Sequence, residues 1–472
     1  MQKTIIMRLV HNNIMRKLFL ILVLSALSNI SSAQDWLNSF AFESDSIVEA
    51  SHIERDENNN IYIAGNFYGT ITNTTPQLTS YNSSKDIFIA KFNNNFELEW
   101  INQIGSSLDD GDDAYMDLKL TSNNTILLNG SFMGECRFTS TDSLTATHGM
   151  DAFLAEYNIS DGSLNKVRRI AEGDYAQFIY SLEMDNNNIV LSGIYWNPLG
   201  GDNELIINTE QDTIFGNGER DAFIAKFDEN WDLIWAKNIL AETYLFPKNI
   251  KSYNHEYYLT GIFRDQVNFD LGQYNSNTSG KDDNFIYKLD SSGTGQWLRK
   301  SYSVDNTNIG NIAIDENGSL YVPGLFRGDS VYFDSDASNV SRPLYNNSSD
   351  GGVFDLFMNK YSRYGELQWS KSYGGKGDEW LRSISYKNNI LFITGYFSDT
   401  LIFENDILGS SSIGDRNIFL GTFDDEGNML KAIDINDADE YDDSGLDLEV
   451  DDESNAYLAG LFRSSEIYVG SD

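Results

Sequence analysis

The sequence predicts an all-β protein, a seven-bladed β-propeller of four-stranded blades built from residues 34–472. Three observations carry that prediction. A glycine-centred segment recurs seven times, each period holds short β-rich segments separated by turn formers, and helical periodicity and helix caps are missing throughout.

The recurring segment reads Ile61-Tyr62-Ile63-Ala64-Gly65-Asn66-Phe67, then Ile126-Leu127-Leu128-Asn129-Gly130-Ser131-Phe132. Further copies carry Gly193 with Tyr195, Gly261 with Phe263, Gly324 with Phe326, Gly395 with Phe397 and Gly460 with Phe462. Successive glycines lie 65, 63, 68, 63, 71 and 65 residues apart. Positions two apart on a strand share a face, so each aromatic fills the space beside its glycine. The glycine marks a bulge or a close approach of a neighbouring blade.

A second element reads Asp86-Ile87-Phe88-Ile89-Ala90-Lys91-Phe92, with copies at 151–157, 221–227, 283–289, 355–361 and 417–423, where Asn417 replaces the aspartate. A third is centred on Trp100, Trp235, Trp297 and Trp369, with Lys166 and Lys431 in the weaker copies. Turn formers such as Asp290-Ser291-Ser292-Gly293 join these two into hairpins. A fourth, such as Asn311 to Asp315, precedes each glycine segment. Several segments are apolar on both alternating faces, as expected of sheets packed face to face around an axis.

The two ends complement each other. Trp36 matches the tryptophan of a fourth strand, while 446–451 and 456–462 supply a first and second strand. Pairing the termini would close a ring. No third strand of the Asp-x-Phe-x-x-Lys type follows before Asp472, so the seventh blade is expected to be incomplete, with two open backbone edges.

Ahead of this array, Met15-Arg16-Lys17, the apolar run Leu18 to Leu27 and Ser31-Ser32-Ala33 read as a secretory signal over residues 1–33, with Met15 the true start. The apolar run is about half of what a membrane-spanning helix needs. The chain carries 33 basic and 71 acidic residues, a net charge of −38, and loses four more positive charges with the leader. Such a field repels phosphates and anionic lipids, which argues against nucleic-acid binding. A 13% aromatic content and only five prolines argue against disorder. One cysteine, Cys136, leaves no intrachain disulfide.

The combination Asp56-Glu57-Asn58-Asn59-Asn60-Ile61-Tyr62-Ile63-Ala64-Gly65, Asp221 to Phe227 and Leu233-Ile234-Trp235 resembles the bacterial β-propeller repeat known as the SBBP repeat. The resemblance covers essentially the whole of residues 34–472 and implies an exported or cell-surface bacterial protein. Such proteins often carry adhesion or sorting modules after the propeller. The family defines no catalytic residues, so none is carried over.

Residues that could carry chemistry are few. His52, His148 and His255 fall in three different blades, without the close pairing of a zinc site. Cys136 has no local histidine and reads as a buried structural thiol. Nucleophile elbows, Cys-x-x-Cys pairs and phosphate-binding glycine loops do not occur. Acidic turns at 109–113 and 437–443, with Asp45, Asp174, Glu242, Asp305 and Asp378 at related positions, would form a carboxylate ring on one face. Asp110, Asp112, Asp439 and Asp442 are the candidates for a weak calcium site, against the simpler reading of solvated turns. Lys91, Lys226, Lys288 and Lys360 recur in the third strand. They read either as a basic ring for an anionic glycan or, with fewer assumptions, as salt-bridging residues.

The expected function is an exported, non-enzymatic module that binds a protein or glycan outside the cell, with no cofactor. The alternative is a polysaccharide hydrolase or lyase, which would need two carboxylates that no motif singles out. A quinone-dependent dehydrogenase ranks last, because that family repeats at a shorter period.

Overall fold

The computed structural model describes residues 17–25, 36–106, 116–198, 203–207, 212–216, 218–334, 343–346, 352–404, 406–409, 416–437, 443–462 and 467–469. Among them there is no α-helix, and so none long and apolar enough to cross a membrane. The chain is an all-β repeat protein with the sheet arrangement of a β-propeller. Repeat 4 shows the unit: Tyr244–Tyr253, Glu256–Arg264, Asp282–Leu289 and Gly295–Ser303 pair antiparallel in chain order. Among the described residues, the first strands of successive repeats are Val48–Arg55, Asp117–Leu120, Ala176–Asp185, Tyr244–Tyr253, the broken pair Thr307–Ile309 and Ala313–Ile314, Glu379–Lys387 and Ser444–Val450. Each touches the next, and the last touches the first, so they surround a channel.

Second and third strands lie in the middle of each sheet, with another sheet packed on both faces. Hence Ile61–Phe67, Asp86–Phe92, Leu320–Phe326 and Asp355–Tyr361 are buried at every position. Fully burying one such Phe or Ile stabilises by about 1.5–3 kcal/mol. The glycine is needed for the reason its spacing predicts. A Cβ on Gly261 would stand 2.3 Å from the Phe246 carbonyl, and one on Gly395 would stand 1.9 Å from that of Trp380. In both repeats the first strand bulges directly after the glycine's partner, between Pro247 and Asn249 and between Leu381 and Ser383.

Neighbouring repeats are latched by the fourth-strand tryptophan. The Trp235 indole donates to the Ser291 carbonyl (3.1 Å), and its ring lies where a Cβ on Gly293 would be, at 3.0 Å. Gly293 has φ +80°, which the hairpin turn requires. Trp100 on Gly162, Trp297 on Gly365 and Trp369 on Gly427 repeat the arrangement. One latch is inverted. Lys166 stands where the tryptophan would be, Trp231 stands where the turn glycine would be, and the ammonium sits 4.1 Å over the indole.

A second inter-repeat link has no signature in the repeat motif. The connection from second to third strand folds into a hairpin that pairs with the end of the preceding repeat's fourth strand. Gln266–Phe269 with Leu240–Ala241, and Thr400–Phe403 with Gly374–Gly375, are examples. This connection is also where the repeats differ in length. The glycine-to-aspartate distance is 21 residues in repeat 1 and 31 in repeat 5, which accounts for the uneven glycine spacing.

At the termini, Trp36–Ser44 serves as the fourth strand beside Ser444–Val450 and Asn455–Phe462. The third position, expected to be open once residues 1–33 are removed, is filled in the full chain by Lys17–Ser25. It pairs antiparallel with Trp36–Ser44 on one side and Asn455–Phe462 on the other. An apolar segment of strand length next to two unpaired edges satisfies both. Its register places Leu20 opposite Gly460, where the other repeats have phenylalanine, and Leu18 opposite Phe462, where they have Asp or Asn.

Candidate functional site

In five of the first strands a bulge inserts one extra residue, and a bulge re-aims a side chain. Ser51, Tyr180, Lys248, Arg382 and Leu446 are the extra residues of their strands, and all five line one end of the channel. That end belongs to the face carrying the connections from fourth to first strand. It encloses about 300 Å³ and continues, past His52, Tyr180, Lys248 and Asn311, into a space of about 270 Å³ towards the other face.

Residues just past the bulge hold the ring together. The Asp117 carboxylate accepts from the Leu182 amide (2.9 Å), the Ser181 hydroxyl from the Ile250 amide (3.2 Å) and the Asn249 side chain from the Ile312 amide (3.3 Å). Asp447 accepts from the Ile53 amide (3.1 Å) and the Ser383 hydroxyl (2.8 Å), tying the last repeat to the first and to its predecessor. Each bond joins one first strand to its neighbour, and burial makes an unpaired donor there costly.

The inner part of the channel is ionic. Lys119 bonds Glu54 and lies 3.8 Å from Asp117, and both neighbours hold its ammonium well above the usual lysine range despite its burial. Burial raises the Asp117 carboxyl, but Lys119, His52, the Leu182 amide and Lys251 together bring it below the ordinary carboxylate value. His52 Nδ1 lies 3.7 Å from Asp117 and 4.0 Å from Asp447. Burial, reinforced by Glu54, pushes the Glu449 carboxyl well above its ordinary value. At the outer end, burial, reinforced by Arg382, brings the Lys248 ammonium down to about 8.

The other residues singled out in the sequence are accounted for locally. Lys91 pairs with Glu99 (2.8 Å), Lys226 with Asp185 (3.0 Å), Lys288 with Glu256 (2.7 Å) and Lys360 with Asp425 (2.6 Å). All four are buried, so the repeated lysines form ion pairs and not a basic ring for a ligand. His255 Nδ1 bonds Asp185 (2.7 Å), His148 is exposed, and Cys136 is buried. Asp45 accepts from the Thr70 amide, Asp305 pairs with Lys281 and Asp378 accepts from the Phe354 amide. These bonds tie adjacent loops together, while Asp174 and Glu242 are exposed. Asp110, Asp112, Asp439 and Asp442 lie outside the described residues, among which no cluster of His, Cys, Asp and Glu converges as a metal site.

The channel residues were missed because bulges have no composition signal. A positional one exists: Tyr180, Lys248 and Arg382 each stand thirteen residues before their repeat's glycine.

No family model matches the chain. It is 27% identical over 218 residues to a WD repeat-containing protein of Acanthamoeba polyphaga mimivirus, covering 43% of this chain and 16% of that relative. Among solved structures it is similar to the β-propeller domain of the trilobed protease from Pyrococcus furiosus (TM-score 0.28, 9% identity, covering 68% of this chain and 93% of that one). It is also similar to quinohemoprotein alcohol dehydrogenase from Comamonas testosteroni (TM-score 0.36, 8% identity, covering 89% and 75%).

Proposed function

We propose that the chain is an exported bacterial interaction module of the SBBP-repeat type. In this reading seven blades close into a ring through the two termini, and one face binds a protein or glycan outside the cell without turning it over. The observation that carries the reading is the set of bulge side chains. Five chemically different residues from five repeats converge on one channel mouth, while the repeat-determined residues are engaged in holding the ring. A recognition surface that varies over a constant scaffold is what a binding module needs, a step that rests partly on fold analogy. A glycan array and a pull-down with the chain starting at Gln34 test it, and retention of a glycan or surface protein without product release is expected.

One observation favours a second reading, a polysaccharide-acting enzyme. The inner channel holds two carboxyl groups shifted in opposite directions, Glu449 upward and Asp117 downward, as an acid and a base would be. Release of reducing ends from a polysaccharide, abolished in Glu449→Gln, would decide for it.

A further inference from the structure

Among the described residues, the lining of the outer channel mouth differs in charge from the rest of the molecule. The chain has 71 acidic residues, yet among the described residues lining this end none is a carboxylate, and two, Lys248 and Arg382, are cations. Neither has an ion pair among the described residues. The carboxylate that bears on Lys248, Asp282, is already bonded to Arg264 (2.8 Å) and to the Tyr244 hydroxyl (2.6 Å). Two like charges held near each other, with no counter-ion among the described residues, raise the energy of the empty site, and an anion between them lowers it.

The remaining walls suit a sugar ring. Trp380 lines the mouth and is stacked on Tyr396 (centroids 6.3 Å apart, planes 7°), with Arg382 5.8 Å over its indole. Tyr180 lies across the mouth, and the amides of Asn308 and Asn311 and the Ser51 hydroxyl supply groups for hydroxyls. A space of about 300 Å³ admits one pyranose unit with some water.

We propose that this mouth is a subsite for a carboxylate-bearing sugar residue, its carboxylate between Lys248 and Arg382 and its ring against Trp380 and Tyr180. The assignment rests on the interaction-module reading and names the ligand class. It moves the anionic-glycan idea from the repeated, ion-paired lysines to two cations that the repeat does not dictate.

Titration calorimetry of the full chain with trigalacturonic acid, with its neutral counterpart galactotriose and with inorganic phosphate tests it. The acid is expected to bind at least about tenfold more tightly than the neutral sugar, since charge-assisted bonds carry the difference. Lys248→Met and Arg382→Gln should each weaken the acid at least about tenfold without affecting the neutral sugar. Lys371→Met, outside the channel, should leave it unchanged. Arg382 is exposed, so Arg382→Gln keeps the test valid should Lys248→Met fail to fold. Absence of binding, equal binding of both sugars, unchanged affinity in Arg382→Gln, or phosphate binding as tightly as the sugar acid would each overturn the subsite. Equal binding of both sugars leaves the module reading standing. Cleavage of the sugar would instead refute that reading, whatever the variants do.

Discussion

Glu379 shows how single residues in this fold are chosen against their neighbours. It opens the first strand of repeat 6, and its amide donates to the Phe354 carbonyl (3.2 Å), next to the buried Asp355. The same register holds Gln177 next to Asp151 in repeat 3, and Asp443 next to Asn417 in repeat 7. Those two places combine an acid with an amide. Here two acids meet, and burial, with Asp355 and Asp378 adding to it, pushes Glu379 up to about 10. The folded state therefore holds a proton that the unfolded chain releases above about 4.5. The associated stability is fully present below that value and is lost as pH rises towards 10. Urea unfolding of Glu379→Gln should show a flatter pH profile than the parent and a higher midpoint at pH 8; identical profiles would refute the assignment. Gly395→Ala, whose methyl would meet the Trp380 carbonyl, should cost about 2–4 kcal/mol in the same assay. Much of the acidic composition has an equally local use. Asp228, Asp290 and Asp424 each accept two backbone amides of their own hairpin turn, at 2.7–3.1 Å.

Between elements, the tryptophan latch and its inverted copy make a natural double-mutant cycle. Lys166→Trp alone would force two indoles together, and Trp231→Gly alone would open a cavity; each should destabilise by about 2–3 kcal/mol. Together they rebuild the latch found at Trp235 and Gly293, so the double variant should recover most of the loss in urea unfolding. Simple additivity would mean the two residues do not form one unit. The latch also shows what the sequence discloses. Strand positions, turns, the bulge at the glycine and the buried lysines were legible because each follows a period that repeats within one chain. The tryptophans and turn glycines were visible, but their pairing across repeats, about 58 residues apart for Trp235 and Gly293, is tertiary. The channel mouth was not legible at all. Its bulge residues differ from repeat to repeat, so no recurrence marks them, and it took the backbone register to show that Lys248 and Arg382 share one space.

For the whole molecule, a ring of sheets has no free edge only if its ends meet. In the full chain Lys17–Ser25 fills the last position, so a chain starting at Gln34 leaves two edges unpaired. That shorter chain should unfold at lower urea and self-associate in sedimentation runs, relative to the full one. Self-repulsion at a net charge of −38 predicts in addition that moderate salt raises the unfolding midpoint. Closure brings Asp447 to the Ile53 amide across the junction of last and first repeats. Small-angle X-ray scattering of the monomer tests closure most directly. A closed ring of this length predicts a radius of gyration of about 23 Å, whereas an extended profile with a radius beyond roughly 30 Å, as of sheets strung in an open line, would contradict it.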